Sequence, residues 1–211
     1  MSEGGIVEAT QFHGLAAEVL ARLAPVVLPT LRLTPDELRH VPGALDPVWV
    51  ERLPLPSAPA RGQTVALADR GDFTRVTSAE DLARERAARP RTQVYESVHV
   101  SGDSWIGVVA LHLAGMLRRE VVCSIYQSST EDSTLGPHYD TWVGVVVQMR
   151  GAKEWLIWQG DGEAEEVVMR VGDVMVVPRG MRHDVRTPAD PGDSAHLVFA
   201  VMDEALPTRP G

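Results

Sequence analysis

The sequence predicts a mainly β domain, an antiparallel sandwich or small barrel, with a partly helical section in front of it. Two observations support this: from about residue 93 onwards the chain forms short segments rich in β-branched residues, and glycine or proline turns separate them. Many short strands at regular spacing are typical of sandwiches and barrels. The predicted strands are 93–100, 121–127, 138–149, 153–158, 166–169, 174–177 and 196–202.

One helix is predicted within this β-rich part. Residues 106–117 are mostly apolar, and Asp103 or Ser104 can cap the start of a helix there. Arg118 and Arg119 follow the apolar run, where positive charge is favourable at a helix C-terminus. We therefore expect an apolar helix between the first two predicted strands.

Helical and irregular structure is predicted for roughly the first 90 residues. Leucine and valine recur at helical spacing over 15–23, and Pro25 with Pro29 is expected to end that helix. Capping patterns indicate two further helix starts, at Thr34-Pro35 and at Thr77 with Glu80, the second helix running to about residue 88.

The length of 211 residues suits one sizeable domain with a real core. We expect residues 1–92 to form a helical or irregular section that packs on the barrel. Residues 93–205 are expected to form the barrel itself, and residues 206–211 a frayed tail.

Charge and composition limit the classes of partner. Hydrophobic residues make up 44% of the chain and charged residues 23%, which is ordinary for a globular protein. The net charge of −9 argues against nucleic-acid binding as the main activity, because such proteins present a basic surface. An acidic protein is compatible with a basic peptide or protein substrate.

The single cysteine, Cys123, excludes an internal disulfide and a cysteine-based zinc site. Its apolar neighbours predict a buried, inert thiol. The N-terminus lacks the basic start of a signal peptide, and the apolar stretch 15–28 contains Glu18 and Arg22, so it is not expected to cross a bilayer. We therefore expect a cytoplasmic protein without a membrane partner.

A candidate metal site is formed by two histidines and one carboxylate. His138 and Asp140 are two residues apart, so on a strand both side chains point to the same side. His183 follows a Gly-Asp turn and a valine-rich strand that can return it beside them. This donor set leaves coordination positions open, which suits non-haem Fe(II). The His-x-Asp motif by itself also fits an ordinary surface pair.

Lys153 is the next candidate site residue. A turn at residues 150–152 is expected to separate the strand of the motif from an antiparallel neighbour that begins at Lys153. A lysine inside a small barrel can anchor the far carboxylate of a dicarboxylic acid. The alternative is a solvated lysine at the end of a hairpin.

Together these segments resemble a known family of oxygenases. The resemblance lies in Gly136-Pro-His-Tyr-Asp140, in Gln148-Met-Arg-Gly-Ala-Lys153, and in Gly172-Asp173 followed by Pro178-Arg-Gly-Met-Arg-His183. The order and spacing are similar to the core of the JmjC/cupin-type 2-oxoglutarate oxygenases, in particular the bacterial cupin-like subgroup related to ribosomal oxygenases.

The resemblance implies a double-stranded β-helix, also called a cupin or jelly roll. It implies that His138, Asp140 and His183 hold Fe(II), and that Lys153 binds the C5 carboxylate of 2-oxoglutarate. Tyr126 and Ser194 match positions near the co-substrate, whereas Gly144 stands where some relatives have an asparagine that orients it.

Trp142 and His196 are two further residues near the predicted site. Trp142 follows Asp140 on the same side and is a candidate substrate-pocket residue, although core packing is an alternative role. His196 is expected to be a satisfied core histidine rather than a fourth metal ligand, because the triad is already complete.

The function implied by the resemblance is an Fe(II)- and 2-oxoglutarate-dependent hydroxylase that uses O2 to hydroxylate an unactivated C–H, most naturally of a protein or peptide side chain. A small natural-product scaffold is the alternative substrate, and demethylation is possible by the same chemistry. An alternative of another class is a non-enzymatic cupin that senses a metal ion or a small acid.

Overall fold

The computed structural model describes residues 4–31, 37–100, 104–160 and 162–205, and there the predicted mainly β fold with helices in front is confirmed. The helices are α1 (Gly4–Leu31), α2 (Pro47–Val50), α3 (Ala79–Ala88) and α4 (Trp105–Leu117), with a 3-10 turn at Val98–Val100. The strands are β1 (Arg39–Val41), β2 (Val65–Asp69), β3 (Asp72–Val76), β4 (Thr92–Tyr95), β5 (Arg119–Ser129), β6 (Val143–Trp158), β7 (Glu165–Arg170), β8 (Val174–Val177), β9 (Arg182–Arg186) and β10 (Asp193–Ala205). The predicted tail, 206–211, lies outside the described residues.

The described strands pair antiparallel and form two layers. The long sheet has the order β1-β8-β6-β10-β5-β4-β2-β3, while β7 and β9 both pair with the second half of β6. β6 therefore contributes its first half to the long sheet and its second half to a smaller sheet. The candidate site lies in a cavity between these two layers, in agreement with a double-stranded β-helix.

Two apolar clusters stabilise the layers. The larger one lies between the long sheet and the helices, and Leu23 of α1, Leu113 of α4 and Phe199 of β10 are buried in it. The smaller one lies between the two sheets and includes Val146 and Met169. Burial of this apolar surface supplies the main free energy that stabilises the fold.

The strand β6 corrects the predicted turn at residues 150–152. The chain does not reverse there but continues as one strand of 16 residues. At Gly151 the backbone takes a left-handed conformation with φ of +60°, and a Cβ at this position would overlap the backbone carbonyl oxygen of Asp193. Only glycine fits such a position without strain. The strand therefore bends, and it passes from one sheet to the other.

This bend changes which residues of β6 face the cavity. Before it, Gly144 and Val146 line the cavity, and after it Lys153 and Trp155 do. In a regular strand, residues an odd number apart point to opposite faces. The register between β6 and β10 shifts between Ala195 and His196, which marks a β-bulge. The bulge and the glycine together bring both halves of β6 to the same cavity.

The front section differs from the prediction in its strands. It contributes β1, which pairs with β8, and the hairpin of β2 and β3, which extends the sheet beyond β4. β1 has three residues and its pairing partner lies far along the chain, whereas β2 and β3 are joined by the two-residue turn Arg70-Gly71. The predicted strand 93–100 is also shorter, since a 3-10 turn follows β4.

The helices of the front section are also longer or shifted. α1 continues through Pro25 and Pro29, where the sequence predicted its end. A buried stripe of Val19, Leu23 and Val27 runs through the same turns, so packing outweighs a helix penalty of about 3 kcal/mol per internal proline. The helix start predicted at Thr34 lies outside the described residues.

Two other helix starts can be compared directly. The cap of α3 is Ser78, one residue later than predicted, and its hydroxyl accepts a hydrogen bond from the Asp81 N–H. Ser104, one of the two predicted caps, precedes α4 and accepts from the Ile106 N–H. Both helices end where expected, at Ala88 and Leu117.

Asp173 connects the front section to the barrel. Its carboxylate accepts hydrogen bonds from the N–H groups of Gly43 at 2.8 Å and Arg170 at 2.9 Å, and it lies 3.2 Å from Nε2 of His40. Buried carboxylates are tolerated when donors replace their lost water. The Gly172-Asp173 turn therefore holds both the β7–β8 connection and the segment after β1.

Cys123 is buried in the larger apolar cluster, as predicted, and burial raises its thiol pKa well above the ordinary value. No helix in the described ranges combines the length and the apolar character needed to cross a membrane.

The bend at Gly151 yields the first testable prediction. Gly151→Ala should lower the free energy of unfolding by about 3 kcal/mol or more, because it adds an overlap with Asp193 to the strain of a left-handed alanine. Gly160→Ala is the matched control, since Gly160 has φ of +77° but open space around its Cβ position. It should cost only about 1 kcal/mol. Urea denaturation measures both, and equal losses would contradict the role of the close approach.

Candidate active site

Three side chains with metal-binding atoms meet in the cavity. His138, Asp140 and His183 each offer a ligand atom, and these atoms lie within 4.8 Å of one another. Nε2 of His183 lies 3.8 Å from Oδ2 of Asp140, and the two imidazole centroids are 4.3 Å apart. The structure therefore brings the sequence-predicted triad together.

Backbone pairing positions the triad, rather than the strand alternation that the sequence suggested. His138 and His183 exchange N–H to carbonyl hydrogen bonds of 2.9 and 2.8 Å, and the Gly180 N–H donates to the carbonyl oxygen of Asp140 at 2.8 Å. The strand predicted to start at His138 begins only at Val143. The isolated bridge between the histidines holds the motif beside β9.

Hydrogen bonds orient both imidazole rings. Nδ1 of His138 donates to the carbonyl oxygen of Gly136 at 2.8 Å, and Nδ1 of His183 donates to that of Met181 at 3.0 Å. A carbonyl oxygen can only accept, so each Nδ1 carries the proton. This leaves Nε2 of each ring unprotonated, which is the form that binds a metal ion.

The electrostatics of the triad suit a cation. Burial raises the pKa of Asp140, and the neighbouring His183 and His138 oppose that rise. Burial lowers the pKa of His183, which favours its neutral, ligating form. A divalent cation between the three residues would supply the positive charge that favours the carboxylate of Asp140. The donor set therefore fits a metal ion.

Lys153 is buried in the same cavity, with 1% of its surface exposed. Its Nζ donates hydrogen bonds to Oγ of Ser128 at 2.7 Å and to Oγ1 of Thr187 at 3.1 Å, and these two oxygens are 2.8 Å apart. Burial lowers the pKa of Lys153 to about 8, although Asp132 and Asp184 oppose the shift. The alternative of a solvated lysine at a hairpin end is wrong.

Lys153 is also the chain's single lysine, since all the other basic side chains among the 20 Lys and Arg residues are arginines. A buried ammonium group is costly unless a partner compensates for its lost water. The neutral hydroxyls of Ser128 and Thr187 compensate only in part. This arrangement suits an anionic group beside Nζ.

Aromatic rings form one wall of the cavity between the lysine and the triad. Tyr126 stacks on His196 with centroids 5.0 Å apart, and His196 meets the ring of Trp155 edge-on at 5.9 Å. Trp155 in turn lies 5.4 Å from His183. The rings therefore form a continuous row that ends at a member of the triad.

Trp142 is half-buried and lines the cavity near Gly144. A Cβ added to Gly144 would lie 3.2 Å from the indole ring of Trp142, so the tryptophan occupies the space beside the glycine. The cavity, including its open side, contains about 560 Å³ of empty space.

Ser194 is the one predicted site residue that the structure does not bring into the cavity wall. It is buried, and its hydroxyl accepts a hydrogen bond of 2.9 Å from the side-chain amide of Gln148. Ser128, its neighbour across the β5–β10 pairing, contacts Lys153 instead.

Ser128 and Thr187 are site residues that the sequence interpretation missed. Both could have been found by counting alternate positions along a strand. Ser128 is two residues beyond Tyr126 on β5, and Thr187 is four residues beyond His183, directly after β9. Strand alternation places each on the same side as the named residue.

His196 differs from the prediction of a satisfied core histidine. It is buried and lines the cavity, but its Nδ1 has no hydrogen-bond partner within the described chain. Burial lowers its pKa well below the ordinary value, helped by Lys153 and His183, so the ring is neutral. Nε1 of Trp155 and Oγ1 of Thr92, on the same cavity wall, also lack partners there.

Comparison with known proteins agrees with the family resemblance. Residues 110–205 match the family described as the JmjC domain. A search of curated protein sequences finds no significant match to the chain.

Solved structures similar to this one include several of YcfD from Escherichia coli. One X-ray structure of it matches with a TM-score of 0.56 at 10% identity, covering 80% of this chain and 50% of that chain. A second, described as a ribosomal oxygenase, matches with a TM-score of 0.54 at 14% identity, covering 80% and 48%. A third, in complex with cobalt and 2-oxoglutarate, matches with a TM-score of 0.50 at 14% identity over the same shares.

At these identities the likeness establishes a shared fold, and the chain spans about half the length of the structures it matches. The family match covers β5 to β10 and contains the triad and Lys153. Residues 110–205 are therefore similar to the JmjC domain, and the chain shares the cupin-type fold of these structures.

Proposed function

We propose that this protein is an Fe(II)- and 2-oxoglutarate-dependent hydroxylase that uses O2 as its oxidant. One observation carries the proposal: a complete two-histidine, one-carboxylate cluster and a buried lysine share a single cavity. A metal-binding site alone would have no use for a buried ammonium group. The JmjC domain match supports the same conclusion, as does a fold shared with a protein solved in complex with cobalt and 2-oxoglutarate.

His138, Asp140 and His183 would hold the iron and leave its remaining positions open. When bound, iron with 2-oxoglutarate supplies the oxidising chemistry that converts a C–H into a C–OH, consuming O2 and releasing succinate and CO2. The chain's own contribution is orientation. The carbonyl groups of Gly136 and Met181 fix the two rings so that Nε2 faces the ion.

Lys153 would bind the carboxylate of 2-oxoglutarate that is remote from the metal. Its ammonium group supplies charge, and Ser128 and Thr187 supply hydroxyl donors beside it. A charge-assisted hydrogen bond in a buried site is stronger than one in water. Tyr126, in the aromatic row, adds a further hydroxyl on this wall.

The substrate side of the cavity is assigned to half-buried residues that line it, Thr134, Leu135 and Trp142. They offer a mainly apolar surface near the triad. We propose that a protein or peptide side chain enters here. Two findings support this choice: a shared fold with a ribosomal oxygenase, and a net charge of −9 that suits a basic partner.

The proposal is tested by release of succinate from 2-oxoglutarate in the presence of Fe(II) and O2. Wild type should turn over 2-oxoglutarate even without its substrate, and His138→Ala should reduce that rate by at least ~100-fold because a metal ligand is lost. His112→Ala is the matched control, since His112 is exposed on α4. Equal rates for wild type and His138→Ala would contradict the proposed reaction.

Lys153→Met separates the co-substrate anchor from the metal site. The methionine fills the lysine's volume without its charge, so the Kd for 2-oxoglutarate should rise by about 100-fold or more. The Kd for the metal ion should stay within about threefold of wild type, because Lys153 donates to no member of the triad. Calorimetric titration of each ligand measures the two constants, and parallel loss of both would contradict the assigned role.

The pKa of Lys153 predicts how pH affects binding. Its folded pKa of about 8 lies below the ordinary 10.5, so the ammonium charge is lost as pH rises through about 8. Affinity for 2-oxoglutarate should therefore fall above pH 8, by up to about tenfold per pH unit. Over the window between these two pKa values the unfolded chain binds more protons, so the same shift makes the ligand-free fold more stable as pH rises.

Because Lys153 is the only lysine, protein labelled with 13C at the lysine ε-carbon gives one side-chain signal. Its titration midpoint should lie near 8 without co-substrate and should move upward when 2-oxoglutarate binds. A midpoint at the ordinary value of 10.5 in both states would contradict a buried anchor.

A further inference from the structure

Two buried ring nitrogens on the cavity wall have no hydrogen-bond partner within the described chain. Nε1 of Trp155 and Nδ1 of His196 are both inaccessible to solvent and unpaired, and both residues line the cavity that holds the triad and Lys153. Leaving a buried donor unsatisfied costs about 1–3 kcal/mol. Native proteins retain such groups chiefly where a ligand or an ordered water completes them.

The chemistry of these two groups indicates the kind of ligand. The indole nitrogen of tryptophan is a donor only, and a neutral histidine can donate from Nδ1. Lys153 on the same wall is also a donor. A cavity lined by convergent donors suits a ligand rich in acceptor oxygens, such as an oxo acid.

Their position indicates which part of that ligand they meet. The ring of Trp155 lies 5.4 Å from His183 of the triad and 5.9 Å from His196. Lys153 precedes Trp155 by two residues on the same face of β6. Its Nζ donates hydrogen bonds to the hydroxyl oxygens of Ser128 and Thr187. Trp155 therefore lies beside the metal end of the cavity, and His196 adjoins its ring on the same wall.

Gly144 offers no polar side chain to this end of the cavity, because the ring of Trp142 fills the space beside it. Val146, Val185 and Val198 add apolar surface to the cavity lining. Within the described lining, Nε1 of Trp155 and Nδ1 of His196 are the buried ring nitrogens that lack a hydrogen-bond partner.

We propose that Trp155 and His196 bind the metal-proximal oxo-acid end of the co-substrate through hydrogen bonds from Nε1 and Nδ1. The assignment rests on the proposed function. The cavity would then bind the co-substrate at two ends. Lys153, Ser128 and Thr187 bind the remote carboxylate, and the two ring nitrogens bind the oxo-acid group.

The test uses Mn(II)-loaded protein, so that binding is measured without turnover. Two ligands are titrated by calorimetry: 2-oxoglutarate, and 2-oxopentanoate, which has the same carbon chain and oxo-acid end but no remote carboxylate. Trp155→Phe removes one N–H and keeps a ring, and His196→Phe removes the other while retaining a ring beside Tyr126. Trp158→Phe is the matched control, because Trp158 lies beneath Arg182 and outside the cavity lining.

Trp155→Phe and His196→Phe should each raise the Kd for both ligands by about tenfold, which is 1.4 kcal/mol. Lys153→Met should weaken binding of 2-oxoglutarate alone, and Trp158→Phe should leave both constants unchanged. Thermal melting of each variant checks that it folds, and either of the two donor variants suffices for the test.

Three outcomes would overturn the proposal. If the donor variants bind both ligands as wild type does, the N–H groups serve only packing or an ordered water, and the proposed function stands. If they weaken 2-oxoglutarate but not 2-oxopentanoate, the donors act on the remote carboxylate instead. If wild type binds no 2-oxoglutarate with Mn(II) present, the proposed function fails together with this inference.

Discussion

The β-bulge before Gly151 and the left-handed backbone at Gly151 together determine which side chains of β6 reach the cavity. β6 is a single strand, yet residues on both sides of the glycine must face inward for the site to exist. A regular strand would place Gly144 and Lys153 on opposite faces, because they are an odd number of residues apart. The register shift against β10, which adds one residue between Gln148 and Arg150, corrects this mismatch.

The site is the least favourable part of the fold to bury. An ammonium group, a carboxylate, two triad imidazoles and two unpaired ring nitrogens lie between two sheets, together with several hydroxyl groups and apolar side chains. The two hydrophobic clusters and the carboxylate of Asp173 stabilise the surrounding framework, which tolerates that cost. Such local disagreement with general packing rules is expected where a protein binds ligands. Ligands that satisfy these groups would stabilise the folded state in proportion to their affinity.

The sequence predicted the barrel and its candidate ligands because both leave local signals. β-branched runs, turn glycines and the spacing of His138, Asp140 and His183 are visible within short windows. The bend at Gly151 was missed because a glycine between two strand-like runs looks the same in a hairpin turn and in a bulge. β1 was missed because its strand character depends on β8, far along the chain. β2 and β3 pair with each other across the turn at Arg70-Gly71, a local signal that the sequence interpretation overlooked.

The roles of His196 and Trp155 could not be predicted for a related reason. Burial of a histidine or a tryptophan can be inferred from neighbouring apolar residues. Whether its ring nitrogen has a hydrogen-bond partner depends on residues of several strands that meet only in the folded protein. Ser128 and Thr187 could have been predicted by counting alternate positions along each strand from Tyr126 and His183. The structure brings the three predicted residues together, although the bridge between the histidines, rather than strand alternation, positions them.

The single lysine has a consequence for covalent chemistry. Every other basic side chain of this protein is an arginine, so its one side-chain amine is the buried Nζ of Lys153. Acylating or reductively alkylating reagents can therefore modify no side chain on the outer surface through an amine. Modification at Lys153 requires the reagent to enter the cavity in competition with any anion bound there. The rate of that reaction reports occupancy of the cavity directly, without a label placed elsewhere on the protein.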